Sequence, residues 1–87
     1  MEYLMYPPTV KSMAAEIITV CDDYLARKIG LEPLQQLIRH YANTFPNMLF
    51  NAQELNPTIL NRIGKKRATI IDKLLDGYQQ KMSNFYT

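Results

Sequence analysis

The sequence has little of the material from which most enzyme sites are built: one cysteine (Cys21), one histidine (His40) and three glycines (Gly30, Gly64 and Gly77) in 87 residues. A single cysteine cannot form an intramolecular disulfide, and no Cys/His spacing of the metal-binding kind occurs. The three scattered glycines exclude a glycine-rich phosphate loop. No run approaches the roughly 18 apolar residues of a membrane span, and the first eight residues have neither a basic start nor a small-residue cleavage site. These absences point to a reduced, cytoplasmic protein with no membrane segment, no metal and no cofactor.

The remaining reactive groups do not assemble into a catalytic set. His40 is expected on the polar side of its helix as a solvated histidine. Cys21 falls in the centre of an apolar arc and reads as a buried, inert thiol. Asp22 and Asp23 are adjacent, so on a helix they diverge by about 100°. Asp72 and Asp76, four apart, share the solvent face of the last helix and read as a solvated pair rather than a hard-cation site. An enzyme is not expected.

What is present is enough for one small domain. Hydrophobic residues make up 47% of the chain and charged residues 21%, and a chain this long buries about 60 to 65% of its unfolded surface, which leaves little room for a deep active site. The apolar spacing predicts an all-α fold, a compact bundle of about four helices. Residues 1–8 read as an extended arm, because Pro7-Pro8 cannot enter a helix interior or a strand ladder, with the side chains of Tyr3, Leu4 and Tyr6 laid on the core. Residues 9–82 form the helical core and 83–87 a tail.

Within that core, Thr9 is the N-cap of a first helix with Val10, Met13, Ala14, Ile17, Ile18, Val20, Cys21, Tyr24 and Leu25 on its inner arc, ending near Lys28 with Gly30 as its stop. Pro33 suits the first turn of a second helix with a stripe of Leu34, Leu37, Ile38, Tyr41, Ala42 and Phe45, closed by Pro46. The stretch 47–55 has no sustained period and reads as a packed loop with room for one helical turn. Asn56-Pro57 starts a short third helix with Ile59, Leu60 and Ile63, which Gly64 stops. A fourth runs from about Lys65 to Met82 over Ile70, Ile71, Leu74, Leu75 and Tyr78.

The net charge of +2 conceals an asymmetry. Between Arg62 and Lys73 the chain carries five bases and one acid, a local balance of +4, and the other 75 residues sum to −2. A helix that closes on Gly64 and another that opens with Lys65, Lys66 and Arg67 set open backbone amides among basic side chains, which suits an anion.

The stretch from Leu60 to Ile71 (Leu60-Asn61-Arg62-Ile63-Gly64-Lys65-Lys66-Arg67-Ala68-Thr69-Ile70-Ile71) resembles the helix-hairpin-helix motif of DNA-binding proteins that read no sequence. That resemblance makes Ile63 the apolar plug, Gly64 the second turn glycine and Ala68 the small packing residue; Arg62 stands where the family has its first glycine. It implies hairpin amides that grip backbone phosphates. From Met13 through Leu75 the chain also resembles a family of short uncharacterised proteins of Gram-positive bacteria. Met13-Ala14-Ala15-Glu16-Ile17, Asp23-Tyr24, Gly64-Lys65-Lys66-Arg67 and Ile71-Asp72-Lys73-Leu74-Leu75 carry that likeness, which implies a compact helical protein and no activity.

Arg67 is a separate case, because its azimuth lies inside the apolar arc of the fourth helix. A guanidinium aimed at a core must be paired, so Arg67 is expected to meet Asp22 or the open carbonyls of a helix end. Arg62, Gly64, Lys65 and Lys66 remain as candidate phosphate contacts. The first expectation is therefore a small non-enzymatic module that binds DNA or RNA backbone through the hairpin 62–67. The alternative is a helical protein-interaction module, a homodimer or a subunit docked on a larger partner, favoured by the Tyr-rich arm and by Met48, Leu49, Phe50, Phe85 and Tyr86.

Overall fold

The computed structural model describes residues 3–51 and 54–84, so Phe85 and Tyr86 lie outside the described residues. Helix α1 spans Val10–Leu25. Thr9 precedes it in extended backbone, and its Oγ1 accepts the Ser12 amide at 3.0 Å, which satisfies one of the amides that every helix start leaves open.

The end of α1 differs from expectation. It falls at Leu25, with Ala26 as the cap, rather than near Lys28. The Lys28 amide donates to the Asp23 carbonyl at 2.8 Å and the Arg27 amide to the Tyr24 carbonyl at 3.0 Å, the paired bonds of a Schellman closure. That closure needs one residue in left-handed backbone, and here it is Arg27, with φ at 62°. Gly30, expected as the stop, is instead the N-cap of α2, Leu31–Thr44. Pro33 sits in the first turn of α2, as its spacing predicts.

Pro46 does more than end a helix: it is the first residue of α3, Pro46–Leu49. Two short strands follow, β1 (Phe50–Asn51) and β2 (Glu54–Leu55), antiparallel with Phe50 opposite Leu55 and Asn51 opposite Glu54. The segment read as a loop thus holds a helical turn and a two-residue ladder. A strand of two residues is too short to show alternation, so periodicity cannot reveal it.

Asn56 ties this segment to the last element. Its Oδ1 accepts the Thr58 amide at 2.9 Å, its Nδ2 donates to the Met48 carbonyl at 3.1 Å, and its own amide donates to the Leu49 carbonyl at 2.8 Å. Helix α4 then runs over Pro57–Asn84, past Gly77, and is broken at Gly64 (φ 82°, ψ 167°). The two expected helices are its segments 57–63 and 65–84.

Helix α4 lies along α1 more extensively than any other pair of elements, and α2 packs against both. The core draws Met13, Ala14, Ile17, Val20 and Cys21 from α1, and Leu34, Leu37, Ile38, Tyr41 and Ala42 from α2. Leu49 and Leu55 close one end, and Ile59, Ile63, Ala68, Ile71, Leu74 and Leu75 complete it from α4. Leu25 and Leu60, expected on inner faces, are exposed. Cys21 is buried, and loss of solvent raises its thiol to about 11, which leaves almost no thiolate near neutral pH.

The N-terminal arm is held chiefly by its backbone. Tyr41 Oη donates to the Leu4 carbonyl and His40 Nε2 to the Met5 carbonyl at 2.7 Å. Pro7 is fully buried. Of the three arm side chains expected on the core only Tyr3 packs there, and its hydroxyl donates to Asp23 Oδ2 at 2.6 Å. Leu4 is exposed and Tyr6 is 68% exposed.

His40 is likewise not a solvated histidine. It is half-buried, with Tyr6 edge-on at 5.4 Å and Phe45 at 6.4 Å. Because a carbonyl only accepts, Nε2 carries hydrogen in this contact.

Arg27 generates a test. Left-handed backbone disfavours any residue with a Cβ, while glycine loses more chain entropy on folding. Arg27→Gly should raise the unfolding free energy by about 0.5 to 1 kcal/mol in urea titration, with an unchanged far-ultraviolet spectrum.

Candidate nucleic-acid interface

The break at Gly64 combines positive φ with extended ψ, a region of backbone space that is essentially glycine-only. An added Cβ would meet no atom within 4 Å. The requirement for glycine here is therefore one of backbone conformation and not of space. On either side of it, Ile63 and Ala68 are buried.

Arg62, Lys65 and Lys66 flank the break and are exposed. None of the three forms an ion pair among the described residues. The candidate phosphate contacts thus lie together around Gly64, with their charges open to solvent.

Arg67 points elsewhere. Its Nε donates to Asp22 Oδ1 at 2.9 Å and its Nη2 to Asp22 Oδ2 at 3.1 Å, a forked contact with α1. Its Nη1 donates to the Ile63 carbonyl at 2.9 Å, the last carbonyl before the break. The side chains are 32% and 49% exposed, so the pair lies at the edge of the core and not in the middle of the apolar arc. The Arg67 hydrogen bonds hold the Asp22 carboxyl below its ordinary value, and the carboxylate in turn raises the guanidinium.

The two neighbouring acids of α1 diverge: Asp22 faces α4 and Asp23 takes the Tyr3 hydroxyl. Loss of solvent and the bond to Asp23 raise that phenol to about 12. The Tyr3 contact is absent from the sequence reading, since no periodicity links an arm to a helix twenty residues on. No cluster of three metal-ligating side chains occurs among the described residues. The Asp76 side chain, half of the acidic pair considered above, lies outside them.

The architecture at this point is that of a small all-helical protein whose last helix is broken by a glycine among exposed bases. The chain belongs to a family described as conserved hypothetical protein, whose model matches residues 4–76. No curated protein and no solved structure matches it.

Two tests follow from the geometry. Gly64→Ala should cost about 1 to 3 kcal/mol in chemical denaturation, all of it backbone strain because the methyl group meets open space. The Asp22 pair should show in the acid limb of stability. A carboxyl whose value is lowered on folding contributes stability above its unfolded value, and that contribution is lost as pH falls through the folded value. Asp72 works in the opposite sense, since partial burial raises it and its penalty is relieved on acidification. The difference between wild type and Asp22→Asn isolates the first effect: their melting temperatures should converge as pH drops below the ordinary aspartate value of 3.8.

Proposed function

We propose that this protein is a non-enzymatic module that binds nucleic-acid backbone through the hairpin around Gly64. The observation that carries the proposal is the glycine-only break at Gly64 with Arg62, Lys65 and Lys66 exposed beside it, in a chain that is otherwise slightly acidic. Open amides at a helix start attract an anion, and lysines placed there oppose the helix dipole by a few tenths of a kcal/mol. An anion drawn to the same place reverses that small cost. The resemblance of residues 60–71 to the helix-hairpin-helix motif supports a backbone phosphate as the anion. No aromatic side chain lies between Arg62 and Arg67, which favours contact with phosphates over stacking on bases. A single buried thiol is consistent with a cytoplasmic setting, and no helix among the described residues is long and apolar enough to cross a membrane.

A second reading rests on the exposed apolar side chains. Leu4, Met5, Tyr6, Leu25, Leu31 and Leu60 all stand in solvent, and a surface groove is lined by Tyr3, Met5, Lys28, Ile29, Pro33, Gln36 and Leu37. Apolar surface of this kind suits contact with a second copy or another protein.

One experiment separates the two. Lys65→Glu together with Lys66→Glu should abolish binding to duplex DNA of mixed sequence at low ionic strength. Neutralising the two lysines singly with Gln should lower the salt slope by about one unit each. Folding should be almost unaffected, because exposed charges change stability by only about 0.5 kcal/mol. If wild type shows no salt-dependent binding to duplex or single strand, the first reading is wrong, and dimerisation in sedimentation at tens of micromolar then favours the second.

A further inference from the structure

We infer that Asp22 and Arg67 act as a clamp that fixes the angle of the Gly64 hairpin, so that Asp22, an acid on another helix, is a positioning residue for the basic surface. The inference deepens the nucleic-acid reading and rests on it for its consequence, though not for its geometry. One guanidinium makes three bonds in two directions: two to the carboxylate of α1 and one to the Ile63 carbonyl, immediately before the break. Arg67 itself lies three residues after the break. It therefore spans Gly64 at the edge of the core and ties both helical segments to α1.

Such a tie matters because a glycine at this position has wide conformational freedom. Ile59 and Ile63 anchor the first segment, and Ala68 and Ile71 the second, but apolar contacts are weakly directional and tolerate rotation. A forked arginine–carboxylate contact is directional. Its charges are partly exposed, so its effect is on the placement of Arg62, Lys65 and Lys66 more than on folding stability.

The sign of a substitution distinguishes the clamp from simple electrostatics. Removing an acid near a basic surface tightens anion binding if charge alone matters. The clamp requires the opposite: Asp22→Ala should weaken duplex binding by about three- to tenfold. Arg67→Lys keeps the charge but loses the fork, and should weaken binding similarly. Asp22→Glu keeps the carboxylate and should bind as wild type does. Residual dipolar couplings of the backbone amides in 59–63 and 66–75 read the angle between the segments directly. They should be the same in wild type and Asp22→Glu and altered in Asp22→Ala and Arg67→Lys. Tighter binding by Asp22→Ala, or couplings that do not change, overturns the clamp. If wild type binds no nucleic acid, the functional reading fails and the couplings alone decide whether the clamp exists.

Discussion

The backbone conformation of Gly64 sets the register in which the second half of the protein meets its core. In an unbroken helix from Pro57, Ile59 and Ile63 would share a face with Ile70 and Leu74, while Ala68 and Leu75 would turn about 160° to 180° away from Ile59. The observed pattern is different: Ala68 and Leu75 are buried along with Leu74, and Ile70 is only half-buried. The positive φ at one residue rotates the downstream segment so that both halves present apolar faces to α1. No residue with a Cβ adopts that backbone without strain, so the core and the basic turn are consequences of the same glycine.

The break also decides what happens to charge. Five bases lie between Arg62 and Lys73, and a core can accept none of them unpaired. The rotation at Gly64 carries Arg67 to the margin of α1, where Asp22 neutralises it, and leaves Arg62, Lys65 and Lys66 outward. Asp23, one residue further along α1, faces the arm and receives Tyr3. Two adjacent acids thus fasten the arm and the hairpin to one helix, the arm on one side and the hairpin on the other. Their divergence of about 100° is the property that excludes them as a paired acid/base site.

Much of this was legible in the sequence because it follows from periodicity and from residues with strong backbone preferences. The inner faces of α1 and α2, the Asn56-Pro57 start and the break at Gly64 all have such signals. What escaped lacks them. The end of α1 is set by Arg27 in a conformation that favours glycine, so a search for the next glycine overshoots to Gly30. The two-residue strands are shorter than one period of alternation. His40 looks solvent-facing on a helical wheel, but the arm folds over that face and brings Tyr6 and the Met5 carbonyl to it. A wheel describes one helix and contains no information about a segment thirty-five residues away.

The size of the exposed basic set bounds what the hairpin can do. On the proposed function, three side chains, Arg62, Lys65 and Lys66, would neutralise about three phosphates, which would limit the salt slope on duplex DNA to about −2.7 and give a single hairpin only weak, sequence-independent affinity. Tighter binding requires more contacts of the same kind, and the nearest source is a second copy. Two hairpins on one assembly turn the second contact into an intramolecular event and gain affinity without any new chemistry. The exposed apolar side chains of the arm and of the α1–α2 connection offer a surface on which such an assembly could form. The two proposed readings are then not exclusive: an interface built from the apolar surface would be the means by which the proposed phosphate contact gains affinity.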